Sequence, residues 1–205
     1  GIPFVYRNHE GPDFSKRKNL ERDLNKVDKR IKHIPNLDDP VKMQQFFLTV
    51  TKGKSEEEIK MLSEIFIKNF QRAYYSDQNI GHYGLVMPRY ATFTSPIRRY
   101  PDLFIHRIIS KYLEENYVVN EKFVTKYKQQ AEDRAKQSSE REKVATEVER
   151  EAENIKKAEY MESRIGEEYD GIVSSITSFG MFVELDNTVE GLIRFDKLGN
   201  EYFIY

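Results

Sequence analysis

A run of 27 residues, Gly81 to Arg107 (GHYGLVMPRYATFTSPIRRYPDLFIHR), constrains this chain more than any other stretch. Gly81 and Gly84 punctuate its start, and Tyr90, Thr92 and Thr94 then alternate with Ala91 and Phe93 in the period of a half-buried strand. Ser95 falls where a helix wants an N-cap oxygen, and Pro96 at the first helical position, where a missing N–H costs nothing. Ile97, Tyr100 or Pro101, Phe104 and Ile108 continue at helical spacing. The pattern predicts a short strand pair running into a helix with one buried face. Arg98 and Arg99 fall on that helix's first turn, where free N–H groups and the helix dipole suit an anion. The same dipole disfavours cations by about 0.3–1 kcal/mol, so a solvated face or structural ion pairs is the competing reading. Within the run, Arg89, Arg98, Arg99 and Arg107 meet a single acid, Asp102, while the whole chain is formally −1. A concentrated basic patch on a near-neutral protein fits nucleic acid better than diffuse basicity does.

Helices come before this run and after it. Leu20, Leu24, Val27 and Ile31 mark an amphipathic helix ending before Pro35. Asp39 before Pro40 opens another, through Met43, Phe46, Phe47 and Val50 to Gly53. Ser55 with Glu58 is a capping box, followed by the stripe Ile59, Leu62, Phe66 and Phe70. The helix of the central run should fade near Asn116. Ser139 with Glu142 reads as a second capping box, with Val144, Val148, Ala152, Ile155 and Met161 along one face of the helix it opens. Residues 139–168 carry ten acidic and six basic side chains, which makes most of that helix a solvated face. There is no cysteine, hence no disulfide or thiolate zinc site, and no apolar run approaches the ~18–20 residues that span a bilayer.

The pattern changes at Gly166. Residues 168–176 alternate as a strand, Ser178-Phe179-Gly180 turns, residues 181–185 alternate again, and Asp186-Asn187 turns before Val189-Glu190-Gly191-Leu192-Ile193. Short alternating strands between glycine turns predict a small antiparallel barrel, and about three of its five strands fit before Tyr205.

The central run resembles the signature of the ribonuclease II/R family, the RNB-domain exoribonucleases: HFGL, a spacer, then Y-x-x-F-T-S-P-I-R-R-Y-x-D-L-x-x-H-R. Here it stands as His82-Tyr83-Gly84-Leu85, Tyr90, Phe93 to Tyr100, Asp102-Leu103 and His106-Arg107, with Tyr83 for phenylalanine the one mild departure. Pro3-Phe4-Val5-Tyr6-Arg7, His9-Glu10, Pro12 and Ala73-Tyr74-Tyr75-Ser76 are similar to the same family, whereas Lys68 stands where many relatives carry arginine. Residues 166–205 resemble an S1-type RNA-binding OB-fold, through G-x-V, F-G-x-F-V-x-L and E-G-L.

The two resemblances imply an α+β chain with a division at about residue 165. Residues 1–163 would be the largely helical C-terminal part of an RNB catalytic domain, and 166–205 the first strands of an S1 barrel. Because Gly1 runs straight into a family motif, the chain is read as part of a longer protein. That protein would be a processive, magnesium-dependent 3′-to-5′ exoribonuclease of the ribonuclease R kind, releasing nucleoside 5′-monophosphates. The resemblance also implies a cytoplasmic monomer acting on single-stranded or structured RNA. The family's closely spaced magnesium-binding aspartates have no counterpart in this sequence; Asp38-Asp39 is the only adjacent pair, and capping the helix at Pro40 accounts for it. No metal ligand is therefore assigned to this chain, and the isolated chain is expected to be inactive.

By the same resemblance Arg98 stabilises charge on the scissile phosphate. Arg99, Tyr100 and Arg107 are RNA or structural contacts, and Asp102 orients an arginine. A family glutamate before an arginine falls best on Glu149, with Glu147 its rival. Phe179 and Phe182 correspond to base-stacking aromatics, with ordinary barrel core as the alternative, and Arg194 replaces a histidine that is common in relatives. The runner-up function is a non-catalytic RNA-binding scaffold of the same fold, and a third is a helical protein-interaction module. The residues preceding Gly1 in the parent separate the first two.

Overall fold

In a computed structural model that describes residues 1–29, 31 and 34–198, the chain divides into two compact units, 1–143 and 144–205, with the division inside one long helix. The first unit begins with strand β1 (Tyr6–Asn8), then helices α1 (Phe14–Val27), α2 (Pro40–Thr51) and α3 (Glu56–Asn69), and strand β2 (Tyr74–Ser76). Helices α4 (Tyr100–Glu114) and α5 (Glu121–Glu162) follow. The sheet β1–β2 is antiparallel, with Arg7 opposite Tyr75.

The caps start α1–α3 as local chemistry requires. Asp13 accepts from the Lys16 N–H, Asp39 from the Val41 and Lys42 N–H groups with Pro40 in the first turn, and Ser55 with Glu58 closes both halves of its capping box. Each cap is worth about 1 kcal/mol. Leu20, Leu24, Leu37, Met43, Leu62, Phe66 and Tyr83 form one core over these helices. Val27 is exposed, and α1 stops there rather than near Pro35.

A second core joins Val5, Tyr75, Phe104, Ile105, Ile108, Phe123, Tyr127, Ala131 and Ala135. It explains why α5 does not begin at Ser139. The helix is already locked in place by Phe123, Tyr127, Ala131 and Ala135, and no glycine or proline interrupts residues 121–162. The hydroxyl of Ser139 therefore faces a different partner. It donates to the Tyr75 and Ala135 carbonyls at 3.2 and 3.0 Å and accepts the Tyr75 N–H at 2.9 Å, tying α5 to β2. Glu142 pairs with Arg7 at 2.5 Å, and the Arg7 guanidinium lies 4.5 Å over the Tyr75 ring. Further along α5, Val144, Val148 and Ile155, expected on a buried face, are exposed among the described residues.

In the second unit, β3 (Gly171–Ile176), β4 (Gly180–Leu185) and β5 (Glu190–Arg194) form an antiparallel meander in the order β3-β4-β5. A bulge interrupts β3 between Val173 and Ser175, and β3 begins at Gly171 rather than Glu168. Gly180 is obligatory: a Cβ there would stand 2.5 Å from the Ile193 carbonyl oxygen.

Candidate nucleic-acid interface

The segment before α4 is not the strand and helix turn that periodicity suggested. Among the described residues no strand forms over 90–94, and a short 3-10 turn, Tyr83–Leu85, precedes it. Much of the signature is structural here. His9 accepts the Gly84 N–H on Nδ1 at 2.8 Å and faces the Gln71 carbonyl with Nε2 at 2.7 Å, which assigns the neutral tautomer protonated at Nε2. A Cβ on Gly84 would fall 2.9 Å from that Nδ1. His82 caps the 3-10 turn, and its ring lies 4.9 Å from that of His9. The Tyr83 hydroxyl donates to the Leu37 carbonyl at 2.7 Å, so the departure from phenylalanine supplies a buried hydrogen bond, and burial pushes its pKa up to about 12. His106 contacts the Phe93 carbonyl at 2.8 Å, and its ring lies 4.2 Å from the Phe93 ring, tilted by 35°.

Helix α4 starts at Tyr100, not Pro96, because of a second proline. Pro101 has no N–H, and its ring would clash with the carbonyl four residues back if the helix ran through from Pro96. The helix restarts with Pro101 in its first turn and Arg99 at the N-cap, which makes no side-chain cap bond. Ser95 instead closes a preceding turn. Its carbonyl accepts the Arg98 and Arg99 N–H groups at 3.3 and 2.9 Å, and its own N–H donates to Asp102 at 2.8 Å. Asp102 is fully buried and pairs with Arg99 Nη2 at 2.9 Å. Burial opposes its ionisation, but the Thr92 hydroxyl, the Ser95 N–H and Arg99 outweigh that and hold its pKa below the ordinary carboxylate value. Thr92 Oγ1 and Asp102 Oδ1 are both buried without a hydrogen-bond partner of ordinary geometry, so the formed bonds to Asp102 are those from Ser95 and Arg99.

Asp102 thus orients Arg99 and braces the turn. Arg98 projects from that turn into solvent, as does Arg107 from α4, and neither has an ion pair among the described residues. Ile97, expected in the buried face, is fully exposed; Pro101, Phe104, Ile105 and Ile108 form that face. Tyr100 is exposed, and the Arg134 guanidinium stands 5.8 Å over its ring.

The second unit gathers another set. Opposed residues of antiparallel strands point to the same side; Phe182 faces Leu192 and Gly180 faces Arg194, so Phe182 and Arg194 share one face. The Phe179 ring lies 6.5 Å from Phe182, edge on, and Phe179 is 53% exposed. Met181, Val183, Leu185 and Ile193 occupy the other, apolar face, which sets Phe182 on the more polar side. Arg194 is exposed and bonds Asp196. Glu149 and Glu147 are exposed on the part of α5 that belongs to this unit. Among the described residues no group of three or more His, Asp or Glu is arranged to hold a metal: Asp39 caps α2, and Asp38 pairs with Arg17.

Residues 1–115 match the RNB domain model, and residues 162–202 match the S1 RNA binding domain model. The chain belongs to the RNB-domain family. Ribonuclease R 1 of Lactococcus lactis is 42% identical to this RNB chain over 205 residues, all of this chain and 24% of that protein. The chain spans about a quarter of the length of the curated relatives it matches. Mycoplasma genitalium RNase R in complex with ribose-methylated single-stranded RNA superposes with a TM-score of 0.84 at 28% identity, over all of this chain and 32% of that one. The same enzyme with double-stranded RNA gives 0.80 at 26%, over 95% and 34%. Yeast Ssd1, a pseudonuclease, shares the fold at 0.58 and 20% identity, over 95% of this chain and 24% of that one.

Proposed function

We propose that the protein carrying this chain is a processive 3′-to-5′ exoribonuclease that releases nucleoside 5′-monophosphates, acts as a cytoplasmic monomer, and depends on magnesium. The residues of this chain do not suit that metal, whose ligands are assigned to other parts of the longer protein. The observation that carries the reading is the braced turn: Asp102 and the Ser95 carbonyl hold Arg98 just ahead of a helix N-terminus, exposed and without an ion pair among the described residues. A guanidinium presented from a braced backbone turn offers two parallel N–H donors to phosphate oxygens, which a backbone N–H cannot do alone. Its value is greatest where charge develops during bond cleavage.

Arg98→Ala in the full-length protein should therefore lower the single-turnover rate by about 10²–10³, on the order of 3–4 kcal/mol, while RNA affinity changes modestly. Equal losses in rate and binding would make Arg98 an ordinary phosphate grip. For the acidic partner, Glu149 precedes Arg150 but lies in the second compact unit, whereas Glu140 precedes Arg141 in the first, next to Ser139. Glu149→Gln and its rival Glu147→Gln, compared with Glu140→Gln for rate at matched RNA affinity, decide among them.

The fold is also shared by a pseudonuclease, which favours a scaffold as the second reading. Full-length protein that binds RNA but releases no monophosphate with magnesium present would establish it.

A further inference from the structure

Between α4 and the early part of α5, both within the first compact unit, runs an open groove of about 490 Å³. Its floor is Phe104 and Tyr127, both buried in the core. Its walls carry Arg107 and Lys111 from α4 and Lys126 and Arg134 from α5, with no carboxylate among the lining residues. Lys111 bonds Glu114 outside the groove, and Arg134 bonds the neutral Gln137 at 3.0 Å. Four cations along one trough are unusual for a chain of formal charge −1. They collect where two helices lie side by side, from positions well separated in sequence.

We propose that this groove takes the ribose-phosphate backbone of an RNA strand, continuing from the Arg98 turn along α4. The proposal rests on the RNA reading above and extends it to Lys126 and Arg134, which no motif marks. Tyr100 and Arg134 sit at the end of the groove nearest Arg98, and Lys111 and Lys126 line it as well. From Tyr100 to Lys111 a helix rises about 16 Å, at about 1.5 Å per residue. At about 3.4 Å per stacked nucleotide, that accommodates about four or five nucleotides. The exposed Tyr100 ring adds a stacking surface that every base can use, which an acidic peptide does not exploit.

The test measures binding of a fluorescein-labelled oligoadenylate RNA to full-length protein in EDTA, from 50 to 200 mM salt. The variants are Lys126→Gln/Arg134→Gln and a control of equal charge change outside the groove lining, Lys128→Gln/Lys136→Gln. All four positions are exposed, so melting temperatures should match the wild type. Each lost single-strand phosphate contact lowers the salt slope by about 0.7, so the groove variant should lose about 1.4. The wild type's affinity advantage should then shrink about sevenfold across that salt range, with the control unchanged. An unchanged slope in the groove variant, or an equal loss in the control, overturns the groove. Equal competition by a polyglutamate peptide of matched charge overturns RNA as its occupant. Wild-type protein that fails to bind RNA at all overturns the RNA reading itself.

Discussion

Asp102 is the side chain on which the arginine turn depends, since it is the only acid in the run and lies fully buried. Arg99→Ala would leave the buried Asp102 carboxylate without its counter-charge and held only by the Ser95 N–H, a defect of about 3–5 kcal/mol. Chemical denaturation should read this as a large fall in midpoint, with Arg98 activity lost alongside because the turn loosens. Arg98→Ala, in contrast, removes an exposed side chain and should leave the unfolding free energy within about 0.5 kcal/mol of wild type. That contrast separates the brace from the functional group. Tyr83→Phe leaves the Leu37 carbonyl without its donor, so it should cost about 1–3 kcal/mol. A stabilised Tyr83→Phe protein would contradict the hydrogen bond assigned here.

Among the elements, the 3-10 turn and its two histidines make stability depend on pH. Burial lowers the pKa of His9 and of His82, and for His9 the nearby Arg7 and Lys16 add to it. The folded state thus prefers both rings neutral. The stability this confers is complete above the unfolded value of about 6.5 and is lost as pH falls through the lowered folded values. Thermal unfolding should show a melting temperature that declines on acidification from pH 7 to 5, and His9→Gln should flatten that decline. Asp102 acts in a separate window: its contribution persists above the ordinary carboxylate value and fades only below it. In the S1 meander, Phe182→Ala in the intact protein should weaken single-stranded RNA binding by ~1–3 kcal/mol while the sheet stays folded. A drop of ~3–5 kcal/mol in stability with normal RNA affinity would place Phe182 in the core instead. Phe179 is more exposed and should show the same pattern with less effect on stability.

For the whole chain, the absence of a metal-binding acidic group among the described residues leads to a direct expectation. The 205-residue chain alone, incubated with RNA and magnesium, should release no mononucleotides. Steady release by contaminant-free protein would require metal ligands that have not been recognised in this chain. The latch of Arg7, Glu142, Ser139 and Tyr75 holds the α5 segment of the first unit against the β1–β2 sheet. Ser139→Ala leaves the Tyr75 N–H without its acceptor and should cost about 1–3 kcal/mol, measurable as lost hydrogen-exchange protection at that amide.

Local chemistry made part of this fold legible without coordinates. Asp39-Pro40 and the Ser55–Glu58 box act through bonds three residues long, so their helices start where the sequence says; Gly180 marks a turn in the sequence, but what requires glycine there is the Ile193 carbonyl on the next strand. The RNB and S1 motifs were equally legible, because their residue types recur at fixed spacing. What the sequence could not specify depended on partners distant in the chain. Ser139 and Glu142 spell a capping box, yet Tyr75 and Arg7, more than 60 residues away, claim their side chains inside a continuous helix. The start of α4 was an intermediate case: Pro101 was visible in the sequence, but the capture of the Ser95 N–H by a buried Asp102 was not. The basic groove belongs wholly to tertiary structure. Lys126 and Arg134 look like ordinary surface charges on a polar helix until α4 is packed beside them, because only packing turns separate cations into one field.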